Sequence, residues 1–253
     1  MAELTGKHAL VTGGGTGIGL AIAQALADAG AEVTITGRRI EVLEQVAQDN
    51  PRLHPLVMDV TNEASVKAGF ETARAANGPI TIHVANAGIA EGRTVPKTSL
   101  DFWRRTMATN LDGAFLTMRA ALEDMEAAGW GRMIAISSIA GVRGLKGGAA
   151  YSASKHGLIG LIRAMSEDYM RSHLTFNAIC PGYVDTPIVS RNIDIIADKT
   201  GASADEALKM MTSQNRHKRL IAPAEIGAAA LWLCLPGSDS VNGQTIEISG
   251  GQV

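Results

Sequence analysis

The sequence predicts an α/β fold: one doubly wound parallel sheet with helices on both faces, in a single domain spanning residues 1–253. Three observations predict it. Short β-rich runs alternate with helical patterns from one end of the chain to the other, and strict alternation builds a parallel sheet covered by helices. A glycine-rich turn, Thr12-Gly13-Gly14-Gly15-Thr16-Gly17-Ile18-Gly19, joins the first β run to the first helix. The 253 residues, 46% hydrophobic and 19% charged, suffice for one large core without a second domain.

In chain order, strands are predicted over 8–12, 32–36, 53–58, 80–85, 133–137, 174–179 and 245–248. The helices between them cover 17–29, 40–49, 64–76, 100–126, 149–172 and 223–235, the last with Pro223 in its first turn. Residues 187–222 form a long insert with mixed helical signals, the expected substrate loop or lid. The helix from 149 is apolar around much of its circumference, through Leu158, Ile159, Leu161, Ile162, Met165 and Tyr169. Such a helix is buried on two sides, so a homo-oligomer is expected.

Composition narrows the function classes. A net charge of −2 gives no reason to expect a nucleic-acid or anionic-membrane partner. No basic segment followed by an apolar one opens the chain, and no apolar run is long enough to span a bilayer. The two cysteines, Cys180 and Cys234, make neither a disulfide framework nor a metal motif. A cytoplasmic protein is the expectation, with no metal.

In sheets of this kind the ligand crevice lies beyond the carboxyl ends of the strands, and the residues there are the candidates. The glycines of the first turn allow a pyrophosphate to approach a helix N-terminus, as in a Rossmann-type nucleotide site, although their spacing is not G-x-G-x-x-G. The second strand ends Gly37-Arg38-Arg39. An acidic residue there would favour NAD(H), whereas Arg38 accommodates a 2′-phosphate, so NADP(H) is favoured over NAD(H). The alternative is a pair of solvated arginines. Asp59-Val60 follows the third strand and can meet an adenine or cap the next turn. Asn86-Ala87-Gly88 follows the fourth, where Gly88 lets the chain bend beneath a nucleotide or simply turn.

Ser137-Ser138 ends the fifth strand, placing a hydroxyl where it can donate to a carbonyl oxygen. Asn110 is a poor mid-helix residue, since its side chain competes for backbone hydrogen bonds. Tyr151 and Lys155 are four residues apart in Tyr151-Ser152-Ala153-Ser154-Lys155, which on a helix places them on one face. A phenol titrates near about 10, and a neighbouring ammonium helps bring it toward neutrality. Arg143, Lys146 and the run Arg216-His217-Lys218-Arg219 are read as solvated charges, with an anionic substrate as the alternative.

Taken together these residues resemble the short-chain dehydrogenase/reductases across nearly the whole chain. The matching motifs are Thr12–Gly19, Asn86-Ala87-Gly88, Asn110, Ser138, Tyr151-x-x-x-Lys155, and Pro181-Gly182 with Thr186. One departure is Ala85, where the family usually has asparagine. The resemblance implies an oxidoreductase acting on a small-molecule ketone or secondary alcohol. Tyr151 would be the general acid or base, and Lys155 would lower its pKa and hold the nicotinamide ribose. Ser138 would polarise the carbonyl, and Asn110 would distort its helix and hold a proton-relaying water. Gly13, Thr16, Gly17, Ile18 and Gly19 would surround the phosphates, with Asp59 and Val60 near adenine. Pro181, Val184 and Thr186 would lie at the nicotinamide end. The resemblance extends, less specifically, to ketoreductases of 3-oxoacyl thioesters and polyketides. It implies a homotetramer, or a homodimer, built on the last strand and the helices near Asn110 and Tyr151. Another small or cyclic ketone is the second reading. A silent NADP(H)-sensing module is the third, disfavoured because Asn110, Ser138, Tyr151 and Lys155 are all present.

Overall fold

The computed structural model describes residues 3–213 and 215–253. Met1 and Ala2, which begin the single-domain span, and Gln214 in the insert lie outside the described residues. Seven parallel strands form one sheet: β1 (His8–Thr12), β2 (Glu32–Gly37), β3 (Leu53–Val57), β4 (Ile80–Ala85), β5 (Gly131–Ile136), β6 (Leu174–Pro181) and β7 (Thr245–Ile248). Their order is β3-β2-β1-β4-β5-β6-β7. The order reverses between β1 and β4, and a crevice opens beyond the carboxyl ends of the strands at such a point. β3 is an edge strand, which is where Pro55, lacking an N–H, is tolerated.

Two apolar layers cover the sheet, and helix packing assigns them. One face carries α1 (Gly17–Asp28), α2 (Ile40–Ala47) and α9 (Pro223–Trp232), with Ile22, Leu26, Leu43 and Ile226 in its core. α1 and α9 approach closely because Gly227 has no side chain; a Cβ there would come within 2.8 Å of Ala21 O. The other face carries α3 (Glu63–Asn77), α5 (Gly113–Ala128) and α6 (Ala149–Asp168), with Phe70, Met118, Leu158 and Ile162 buried. Among the described residues no helix is long and apolar enough to cross a membrane.

The predicted helix over 100–126 is divided. α4 (Leu100–Met107) leads through a π turn at Ala108–Asp112 into α5. Asn110 lies in that turn, its side chain bonded away from the helix rather than to it. The insert after Thr186 is helical, not an open loop: α7 (Pro187–Thr200) and α8 (Ala204–Thr212) fill most of it. Thr186 caps α7, and Ser203 with Glu206 forms a capping box on α8. The basic run that follows is partly structural. Arg219 pairs with Glu225 at 2.8 Å, and Glu225 accepts from Ala222 N at the start of α9.

Candidate active site

The first turn of α1 is open to an anion. Gly13 (φ 65°) and Gly17 (φ 55°) take the left-handed region that makes the turn tight. Thr16, at the helix N-cap, makes no side-chain cap, and no acidic residue stands in the first turn. The helix therefore offers uncapped N–H groups and a positive dipole end, which suits a pyrophosphate. Gly19 permits the packing of this turn against β4, since a Cβ there would collide with Gly13 O and lie 2.5 Å from Asn86 Nδ2.

Thr12 ties β1 to the Asn86-Ala87-Gly88 turn. Its hydroxyl accepts from Asn86 N at 2.9 Å and Ala87 N at 3.0 Å, while Asn86 Nδ2 donates to Thr12 O at 2.8 Å. The turn that follows Ala85 is thus held by Asn86. Gly88 passes close to the reactive cluster: a Cβ there would reach 3.2 Å from Asn110 Oδ1 and 3.7 Å from Lys155 Nζ.

At the end of β2, Arg38 and Arg39 are exposed and make no ion pair among the described residues. Asp59 faces the same region. Its Oδ1 accepts from Thr61 N at 2.9 Å and Thr61 Oγ1 at 2.7 Å, so of its two expected roles the turn cap is the one visible. Those bonds, aided by the Arg38 charge, hold its carboxyl below the usual aspartate value. Val60 is buried against Gly113. On the far side, Pro181 ends β6, and Val184 is buried and bridges to Ile221. The Thr186 methyl stands beside Gly17, joining the start of α7 to the glycine turn.

Between these flanks the reactive candidates meet. Ser138 is buried after β5, its Oγ accepting from Ala140 N at 3.1 Å. Burial raises the Tyr151 pKa, and the nearby Ser138 hydroxyl acts against part of that rise. Lys155 Nζ lies 5.8 Å from the centre of the Tyr151 ring and donates to Ile136 O at 2.7 Å. Burial lowers the Lys155 pKa from 10.5 to about 8, which leaves the amine able to exchange a proton near neutrality.

Asn110 anchors this cluster from below. Its Oδ1 accepts from Ile89 N at 2.8 Å, and its Nδ2 donates to Ile89 O at 3.0 Å and Ser154 Oγ at 3.1 Å. Ser154 in turn donates to Tyr151 O at 2.8 Å. Sequence reasoning passed over Ser154 and Thr12. The signal for Ser154 was its place three residues past Tyr151, on the helix face toward Asn110; the Thr12 bonds depend on β1 and β4 being neighbours.

With this arrangement in place, the comparisons with known proteins are decisive about kinship. A model of the short chain dehydrogenase family matches residues 7–195. The chain belongs to that family. Among its relatives is a 3-oxoacyl-[acyl-carrier-protein] reductase of Aquifex aeolicus, 32% identical over 98% of this chain and 98% of that one. A cis-4-hydroxycyclohexanecarboxylate dehydrogenase of Sinomonas cyclohexanicum is 37% identical, over 97% of this chain and 96% of the relative. In three dimensions the short-chain dehydrogenase fold seen here is similar to that of an actinorhodin polyketide ketoreductase variant solved with NADPH. The TM-score is 0.94 at 30% identity, over 97% of both chains.

Proposed function

We propose that this short-chain dehydrogenase is an NADP(H)-dependent oxidoreductase that interconverts a ketone and a secondary alcohol, with a 3-oxoacyl thioester and its 3-hydroxy form as the substrate pair. One observation carries the reading: Ser138, Tyr151 and Lys155 converge beside an uncapped helix N-terminus. Bound there, NADP(H) supplies or accepts the hydride. The chain supplies orientation and the proton path. Ser138 donates a hydrogen bond to the substrate oxygen, and Tyr151 gives that oxygen its proton in reduction and removes it in oxidation. Lys155 stores a proton beside Tyr151 and holds the ribose. The Asn110 side chain bonds Ile89 and Ser154, so it braces the Tyr151 turn.

The cofactor residues divide by region. Gly13, Thr16, Gly17, Ile18 and Gly19 hold the phosphates, Arg38 takes the 2′-phosphate, and Asp59 and Val60 flank the adenine. Asn86, Ala87 and Gly88 run beneath the nucleotide, with Pro181, Val184 and Thr186 at the nicotinamide. α7 and α8 form the substrate cover, supported by Ile188, Ile195 and Met210, which stay exposed. The NADPH in the related ketoreductase structure and the acyl-thioester reductase among the relatives support both cofactor and substrate class. A homotetramer is proposed on β7, α5 and α6; the exposed Phe115 on α5 supports such a contact.

The test is NADPH consumption with acetoacetyl-CoA, run beside NADH and beside simple and cyclic ketones. Rapid, NADPH-preferring reduction of the thioester is expected. A second reading, oxidation of a cyclic secondary alcohol, is favoured by the 37% identity to the cyclohexane-ring dehydrogenase. Activity restricted to cyclic substrates would select it and discard the thioester.

A further inference from the structure

The ends of β5 and β6 carry two buried polar side chains that the proposed reaction does not use: Ser137, 4% exposed, and Cys180, 0% exposed. They are neighbours because Ile136 on β5 pairs with Ile179 on β6, and Ser137 N donates to Ile179 O at 2.8 Å. Ser137 Oγ donates to the main-chain oxygen of Lys155 at 3.1 Å. One residue earlier, the carbonyl of Ile136 accepts from Lys155 Nζ at 2.7 Å. Lys155 is therefore fastened to β5 at both its ends, by consecutive residues. Cys180 lies beside this pair, and burial raises its thiol to about 11, with the Ser138 N–H and the Ser137 hydroxyl acting against that rise. Gly141 closes the space above: a Cβ there would collide with Ser137 Oγ and come within 2.8 Å of Lys155 O.

We propose that Ser137 is a positioning residue: its bond to the Lys155 carbonyl, beside the Ile136 carbonyl that holds Lys155 Nζ, fixes the turn of α6 that carries Lys155 and keeps its ammonium in the buried place against Ile136, within reach of Tyr151. The consequence for turnover rests on the oxidoreductase reading; the consequence for Lys155 itself does not. Without the Ser137 hydroxyl the Lys155 carbonyl loses its side-chain donor, the turn relaxes, and the ammonium gains solvent.

The test labels lysine with carbon-13 at Cε, assigns the Lys155 resonance by its loss in Lys155→Arg, and titrates it by NMR. Wild type is expected to titrate at about 8. In Ser137→Ala the midpoint moves up by more than about one pH unit, toward the ordinary lysine range. Ser137→Thr, which keeps a hydroxyl donor, leaves it at the wild-type value. In parallel, kcat for ketone reduction falls at least ~10-fold in Ser137→Ala, with a smaller loss of NADPH affinity, read by fluorescence titration, because Lys155 also holds the ribose. An unmoved Lys155 midpoint in Ser137→Ala overturns the proposal; if that variant does not fold, an unmoved midpoint in Ser137→Cys, whose thiol is a much weaker donor, does. A moved midpoint in a wild type that reduces no ketone sinks the oxidoreductase reading and leaves the tether standing.

Discussion

Around Tyr151 nearly every polar group is bonded to another group of the protein, whereas along the path from α1 to the end of β2 the polar groups stand open. Asn110 spends its amide on Ile89 and Ser154, Ser154 reaches Tyr151, and Lys155 is fastened to Ile136. On the other side the first turn of α1 is uncapped, and Arg38 and Arg39 are exposed without an ion pair among the described residues. The contrast follows from what each region must do. Proton transfer demands atoms placed to a fraction of an ångström before the substrate arrives, and that takes internal bonds. Phosphate binding needs N–H groups and guanidinium groups kept free of competing partners, and that takes glycine and exposure.

Removing one hydroxyl from the bonded region should have the largest effect. Tyr151→Phe keeps the ring and its packing and deletes the proton donor. A fall in kcat of about a thousandfold is expected, with NADPH affinity within about twofold of wild type. Stopped-flow turnover beside fluorescence titration separates the two quantities. A variant that keeps near wild-type turnover would move the acid–base role away from Tyr151. A variant that loses NADPH binding instead would erase the division between the regions.

The open region should break through its backbone rather than its side chains. Gly19→Ala places a methyl on Gly13 O and 2.5 Å from Asn86 Nδ2. Backbone cannot yield as a side-chain end does, so a loss of about 3 kcal/mol is expected, at the upper end of ordinary overpacking. Urea unfolding measures it. A loss below about 0.5 kcal/mol would mean that the turn is looser than the glycine packing implies.

How far each region could be read from sequence follows the same division. All seven strands were legible because β-rich runs and helical patterns differ in period, and both ends of β1 and β7 fall where expected. The glycine turn and the Tyr151–Lys155 face were legible because their logic is local. The bonds that wire the reactive cluster were not. Ser154 to Asn110 spans 44 positions and Ser137 to Lys155 spans 18, so both require the fold before they exist. The insert after Thr186 read as a loop because its helical signals are mixed, and the caps at Thr186 and Ser203 decide them. The expectation that Lys155 depresses Tyr151 came from adjacency on a helix face. Burial is the largest influence on each group, raising the phenol and lowering the amine, and the Ser138 hydroxyl acts against part of that rise.

Arg38 offers the smallest effect and the sharpest use of the comparison, because it alters affinity without touching structure. Its side chain is exposed, its charge acts on Asp59, and it makes no ion pair among the described residues, so truncation leaves nothing buried unpaired. A charge-assisted bond to a 2′-phosphate contributes about 1.5 kcal/mol, and Arg38→Ala should therefore weaken NADPH roughly tenfold. NADH lacks that phosphate and should bind as before. Arg39→Ala provides the control: Arg39 stands at the N-cap position of α2 with no side-chain cap bond and is exposed, and a smaller loss for NADPH is expected. Isothermal titration with both nucleotides reads all four affinities. Equal weakening of NADPH and NADH in Arg38→Ala would remove the phosphate clamp and return the choice of nucleotide to the shape of the pocket. A larger loss from Arg39→Ala would move the clamp by one residue and keep the rest of the assignment.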